Sequence, residues 1–198
     1  MNHSTLRSVR TARTAFRHAA LALASASVLG LAACGGGGDD ASAAVSVSGG
    51  GATGALTFTG TNNSARTGFA PPTDPTTCLA VKGTFIQVNC LKPGAAAGST
   101  DDLMITYSGA LTAGSVVNLA APSGSSQVEF ITTELAGASV LTRFWGSDPV
   151  GTITLTAIDA KSVTFKLTGV VLKADTLSGG SVSTGTIAAD GTVTVNLK

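Results

Sequence analysis

The chain predicts an all-β fold: a two-sheet antiparallel sandwich, jelly-roll-like, of about ten strands, with a closed β-barrel as the alternative. Three observations lead there. From about residue 55 the apolar positions recur every second residue, the side-chain period of a strand. Clusters of Gly, Pro, Asn, Asp and Ser punctuate the chain roughly every 10 to 15 residues, and no stretch carries an amphipathic helical period.

Taken in order, strands are expected at residues 55–60, 84–90, 103–109, 115–119, 127–133 and 139–145. The clearest follow. In GTITLTA, Ile153, Leu155 and Ala157 face one way and Thr152, Thr154 and Thr156 the other. SVTFKLTG sets Val163, Phe165 and Leu167 against Ser162, Thr164, Lys166 and Thr168, and Asp159-Ala160-Lys161 between the two runs predicts a hairpin turn. The last run, TGTIAADGTVTVNL, predicts a second hairpin turning at Asp190-Gly191, with Val193, Val195 and Leu197 facing inward.

The amino end has a different character. Arg7, Arg10, Arg13 and Arg17 precede Ala19 to Ala33, which are apolar or small throughout. As a helix that stretch reaches roughly 22 Å, short of the roughly 30 Å hydrocarbon core, so it predicts a cleaved signal rather than a membrane span. It ends in Leu31-Ala32-Ala33-Cys34, which resembles the lipobox of bacterial lipoproteins; the resemblance covers residues 1–34 only. It implies cleavage before Cys34, a diacylglycerol on that thiol, and membrane lipid as the partner of the acylated residue. Two or three acyl chains make such an anchor effectively permanent. Enterobacterial lipoproteins retained in the inner membrane carry Asp after the cysteine, so Gly35 implies the outer membrane. The domain organisation expected is a signal peptide at 1–33, a lipidated Cys34 with a flexible Gly/Ser/Ala tether at 34–54, and one β-sandwich domain at 55–198.

Beyond residue 33 the chain keeps eight Lys and Arg against all 11 Asp and Glu, a net charge of −3. A weakly acidic surface without a basic stripe excludes nucleic acid as the expected partner. Cys78 and Cys90 are the remaining thiols, and in an exported protein they are expected to form a disulfide. The bridge should tie the 84–90 strand to the preceding PPTDPTT loop.

Chemistry is limited by what is missing. Both histidines, His3 and His18, lie in the signal, so a Ser/His/Asp triad, a Cys/His dyad and a histidine-bearing metal site are not expected. Phosphate loops, dinucleotide fingerprints and nucleophile elbows do not occur in the sequence. Glu129 and Glu134, the only glutamates, fall on opposite faces of one extended segment, the wrong arrangement for a glycosidase pair. Asp101, Asp102 and Asp148 sit in expected loops, but without the spacing of a calcium loop. No catalytic residue, metal or cofactor is therefore expected. The candidate ligand contacts are Arg143, Trp145 and Asp148 in TRFWGSDP, where Phe144 and Trp145 must point to opposite faces. The competing expectation is that Trp145 plugs the open end of the sandwich.

The functional expectation is thus a lipid-anchored cell-envelope protein of the bacterial outer membrane. Its domain is expected to be a non-enzymatic binding or structural display module with an envelope glycan or protein as partner. The alternative is a glycan- or small apolar-ligand binder using the Trp145 region.

Overall fold

The structure, a computed structural model, describes residues 51–94, 96–121, 125–175 and 182–198. The expectations for the signal, Cys34 and the tether up to residue 50 lie outside them. Ten strands follow in chain order: β1 (Thr53–Thr59), β2 (Gly68–Phe69), β3 (Cys78–Lys82), β4 (Ile86–Pro93), β5 (Thr100–Tyr107), β6 (Ser115–Asn118), β7 (Gln127–Ala136), β8 (Ser139–Ile158), β9 (Ser162–Ala174) and β10 (Thr186–Asn196). Ala52 is already buried and β1 begins at Thr53, so the sheet starts two residues before the expected boundary.

All pair antiparallel in one continuous sheet of order β2-β1-β10-β9-β8-β7-β5-β4-β3, with β6 also on β8. What makes two layers of it is β8. Its first half pairs with β7 from Ser139 to Trp145, and its second half with β6 from Thr152 to Leu155. Between them the register against β9 shifts repeatedly from Trp145 to Thr152. Such bulges bend and twist a strand. Asp148 at φ 43° and Gly151 at φ 99° take up the turn, and a Cβ on Gly151 would stand 2.3 Å from the Gly169 carbonyl oxygen. One layer is therefore β2-β1-β10-β9 with the second half of β8 and β6, hereafter the threonine layer. The other, the five-strand layer, is the first half of β8 with β7-β5-β4-β3.

The sheet is not closed into a barrel. Among the described residues its far edge pairs with the segment just past β10 at Ala80, which bridges to Leu197 in parallel and whose carbonyl accepts the Lys198 N–H at 2.9 Å.

Apolar residues of the inner faces fill the space between. Phe58 of β1 packs edge-on against Phe130 of β7 at 4.7 Å, and Tyr107 of β5 meets Phe165 of β9 at 5.4 Å. Each such aromatic pair contributes about 1 kcal/mol beyond the area it buries. Alternation is unbroken in β10, where Ile187, Val193 and Val195 are buried, whereas in β9 it runs through Val163, Phe165 and Leu167 and then slips by one residue to Val170 and Leu172.

Four expectations change. Asp101 and Asp102 lie on β5 and Asp148 within β8 rather than in loops, because the ladders of β4, β7 and β9 extend past the apolar runs. Residues 139–145 and 151–157 are one strand, because the bulge carries the ladder through the Gly, Pro and Asp between them. Asp190-Gly191 is not a hairpin turn; β10 runs straight through it. The apolar residues on both sides face one core, and the single register shift there is an extra residue in β9, at Thr168-Gly169, with Gly169 at φ 56° donating its N–H to Asp190 Oδ1 at 2.7 Å. The Cys78–Cys90 disulfide is present, but it joins directly opposed residues of the β3–β4 hairpin rather than strand to loop. The turn at Asp159 is as expected, its Oδ1 accepting the Lys161 and Ser162 N–H groups at 2.6 and 2.7 Å. Those two bonds hold its carboxyl below the usual range.

Candidate functional site

Of the residues singled out from sequence, Cys34 lies outside the described residues, and Cys78 and Cys90 are fully buried. Arg143 and Trp145 share the inner face of β8, whereas Asp148 lies beyond, exposed in the bulge. Trp145 has no exposed surface. It stacks obliquely on Phe130 at 6.3 Å and donates its indole N–H to the Thr184 carbonyl at 3.3 Å, so it is a core side chain with no face turned to solvent.

Arg143 belongs to a chain of ion pairs at the end of the sandwich. Its Nη1 donates to Glu134 Oε2 at 2.6 Å; Glu134 Oε1 lies 3.6 Å from Arg66 Nη2; Arg66 Nε reaches both oxygens of Asp101 at 3.0 and 2.9 Å. Asp101 is buried, and its hydrogen bond pushes the Arg66 guanidinium further up. Cross-strand register explains the convergence. Lys92, Asp101, Thr132 and Arg143 stand opposite one another on β4, β5, β7 and β8, one residue pair beyond the apolar row of Cys90, Leu103, Phe130 and Trp145. The loop after β1 brings Arg66 over this polar row, and Lys92 Nζ sits 4.9 Å above the Phe69 ring. Opposite charges meet within the cluster, which closes this end of the core.

The outward faces differ sharply in composition. On the threonine layer the solvent side of β8, β9 and β10 presents Thr154, Thr156, Thr164, Thr168, Thr192 and Thr194 around Lys166, the pattern a wetted sheet face is expected to show. On the five-strand layer apolar side chains share the outward face with polar ones, Gln87, Thr106, Gln127, Thr133 and Thr142 among them. Register places Phe144, Ile131, Asp102 and Leu91 side by side, then Glu129, Met104, Asn89 and Leu79, with Leu135 opposite Val140 at the hairpin tip. Met104 and Phe144 are only 9 % and 7 % exposed although they point outward, while Leu135 and Val140 are 56 % and 61 % exposed. Gly146 leaves the room this needs: a Cβ there would come within 2.9 Å of Glu129 Cγ and 3.1 Å of the Phe144 ring.

Two carboxylates sit on that face. Asp102 stands between Ile131 and Leu91, with Glu129 on the diagonal position across the β5–β7 ladder. Burial, then the charge of Glu129, pushes the Asp102 carboxyl up to about 6. Its Oδ1 is buried without a hydrogen-bond partner among the described residues. Lys and Arg are absent from the outward positions of these five strands.

The expectations from sequence did not include this face, yet a signal for it exists. Cys90-Leu91, Leu103-Met104-Ile105, Phe130-Ile131 and Phe144-Trp145 are doubled apolar runs on four adjacent strands, and a doubled run puts an apolar residue on each side of a sheet. Comparison of the chain with protein-family models, with curated proteins and with solved structures returns no match.

Proposed function

We propose that this chain is a lipid-anchored protein of a bacterial outer membrane whose β-sandwich is a non-enzymatic binding module, and that it binds a protein partner through the outward face of the five-strand layer. The contrast between the two outward faces carries the reading. Threonine is a sufficient covering for a sheet face in water, and β8, β9 and β10 of the threonine layer use it. Leu79, Leu91, Ile131, Leu135 and Val140 stand where the same covering would serve on the five-strand layer. Exposed apolar side chains grouped on one sheet face mark interaction sites in water-exposed domains. The anchor rests on the lipobox at Leu31 to Cys34, and the glycine-rich segment after it supplies reach. The Trp145 region contributes core packing to this module and no contact with the partner.

A photo-crosslinking side chain at Thr133, outward on the five-strand layer, tests the face against one at Thr194, outward on the threonine layer. Irradiated cells should give a discrete adduct from position 133 and none from position 194. Equal yields from the two positions, or no adduct from 133, would refute the reading. For the anchor, Cys34→Ala should release the protein from the detergent-soluble membrane fraction, and continued retention would count against it.

A further inference from the structure

We infer that the tip of the β3–β4 hairpin, through Val81 and Phe85, rests in the headgroup layer of the phospholipid membrane that holds the anchor; this rests on the lipid anchor proposed above. Val81 stands opposite Gln87, and two residues on Gly83 donates its N–H to the Phe85 carbonyl at 2.8 Å, so Val81 and Phe85 lie on the same outward side of the tip. They are 57 % and 44 % exposed, whereas their neighbours Ala80 and Ile86 on the inner side are fully buried.

Their place in the fold decides what they meet. The described chain enters at this same end: Thr53 pairs with Thr194 near the close of β10, Leu197 just beyond bridges to Ala80, and Lys82 follows two residues further along β3. Sixteen residues, 35–50, separate Gly51 from Cys34. For a Gly/Ser/Ala-rich stretch of that length the root-mean-square reach is about 20 to 24 Å. β10 alone, at 11 residues, carries the sheet about 36 Å. The anchor therefore keeps the Gly51 end close to lipid and leaves the opposite end, with the β7–β8 hairpin, beyond that reach.

Charge and size favour lipid over protein as the occupant. Lys82, Lys161 and Lys198 are exposed at this end, drawn together by the Leu197 N–H on the Lys161 carbonyl at 2.7 Å and the Lys198 N–H on the Ala80 carbonyl at 2.9 Å. Asp159 is the acid among them, its carboxyl tied to the Lys161 and Ser162 N–H groups, and Asp74 follows the Thr73 that abuts Gly51. Lysine stems lie along apolar surface while their ammonium groups meet phosphate, and the phenyl ring and the valine beside them reach the acyl boundary. Two apolar side chains are too few for a protein interface, which takes about 800 Å² from each partner. They suffice for a membrane contact, because the anchor already supplies the local concentration that a free protein lacks.

Tryptophan placed at the tip reads the contact. Acylated Phe85→Trp, reconstituted in phosphatidylcholine/phosphatidylglycerol vesicles, should emit at shorter wavelength than in detergent-free buffer and lose intensity when the acyl chains carry bromine, and Val81→Trp should do the same. Val140→Trp, as exposed but at the opposite end of the five-strand layer, should respond to bromine no more than the parent, whose Trp145 is buried. Tip tryptophans that ignore bromine would overturn the proposal, and a shift to shorter wavelength without quenching would show the tip covered by protein instead. Equal quenching at positions 85 and 140 would show contact without orientation and overturn it as well. Cys34→Ala keeps the two readings apart: its release from the membrane, with no quenching at the tip of the acylated chain, leaves the anchor standing and removes the tip contact, whereas its retention removes the anchor and this inference with it.

Discussion

Arg66 and Asp101 form a two-point contact, guanidinium Nε to both carboxylate oxygens, between a loop and an interior strand 35 residues apart in sequence. It closes the end of the core, and Glu134 carries it on to Arg143. Removing one partner of a nearly buried pair leaves the other charge uncompensated, a change that costs more than the intact pair contributes. Asp101→Ala is expected to lower stability by about 2 to 3 kcal/mol, and Arg66→Met in the same chain to restore part of it. Urea unfolding of the single and double variants checks this; a loss below about 0.5 kcal/mol for Asp101→Ala would be the value of a mere surface pair.

Asp102 should make the protein less stable as pH rises. Its folded carboxyl titrates at about 6, above the roughly 3.9 of an unfolded aspartate, so between those values the folded state binds more protons. The stability it contributes is full below about pH 4 and lost as pH passes through about 6. Asp102→Asn should therefore stabilise by roughly 2 kcal/mol at pH 8 and by little at pH 4. Thermal unfolding of the two proteins across that range gives the answer, and parallel curves would contradict it.

The disulfide closes a loop with a sequence separation of 12. On the chain-entropy account, replacing Cys78 and Cys90 by alanine should cost about 3 kcal/mol, with the β3 amides exchanging faster than in the parent because the strand is held by one ladder and one bridge. Hydrogen exchange of the double variant measures both effects.

Glycine at 151 and glycine at 114 should respond very differently to alanine. Both have positive φ, 99° and 89°, but a Cβ at 151 meets the Gly169 carbonyl oxygen whereas one at 114 meets nothing within 4 Å. Gly114→Ala should cost about 1 kcal/mol from backbone strain alone, and Gly151→Ala clearly more, because the β8–β9 ladder must open to admit it. Similar melting temperatures for the two variants would show that the bend does not depend on that glycine.

How much of this is legible in sequence depends on which layer a residue belongs to. β9 and the second half of β8 announce themselves through Ile153, Leu155, Val163, Phe165 and Leu167, because one wet face and one dry face give a clean alternation. In the five-strand layer Leu103-Met104-Ile105 and Phe144-Trp145 are apolar on both parities, and the alternation that reveals a strand also conceals its second apolar face. Asp190-Gly191 reads as a turn because the residue pair suits one; only the pairing of β10 with β1 and β9 over its whole length makes it the interior of a strand. The ion chain escapes notice for another reason. Arg66, Asp101, Glu134 and Arg143 share no local spacing, and it is cross-strand register and one loop that assemble them.

Because β8 is a member of both layers, the sandwich has a hinge made of covalent chain where most sandwiches have only a loop. The layers cannot drift apart or slide past each other without tearing the ladders of β7 or β9 from the same strand. Pulled at its ends, such a domain should yield in a single event, and its most slowly exchanging amides should cluster at Ile153 and Leu155, held by β6 on one side and β9 on the other.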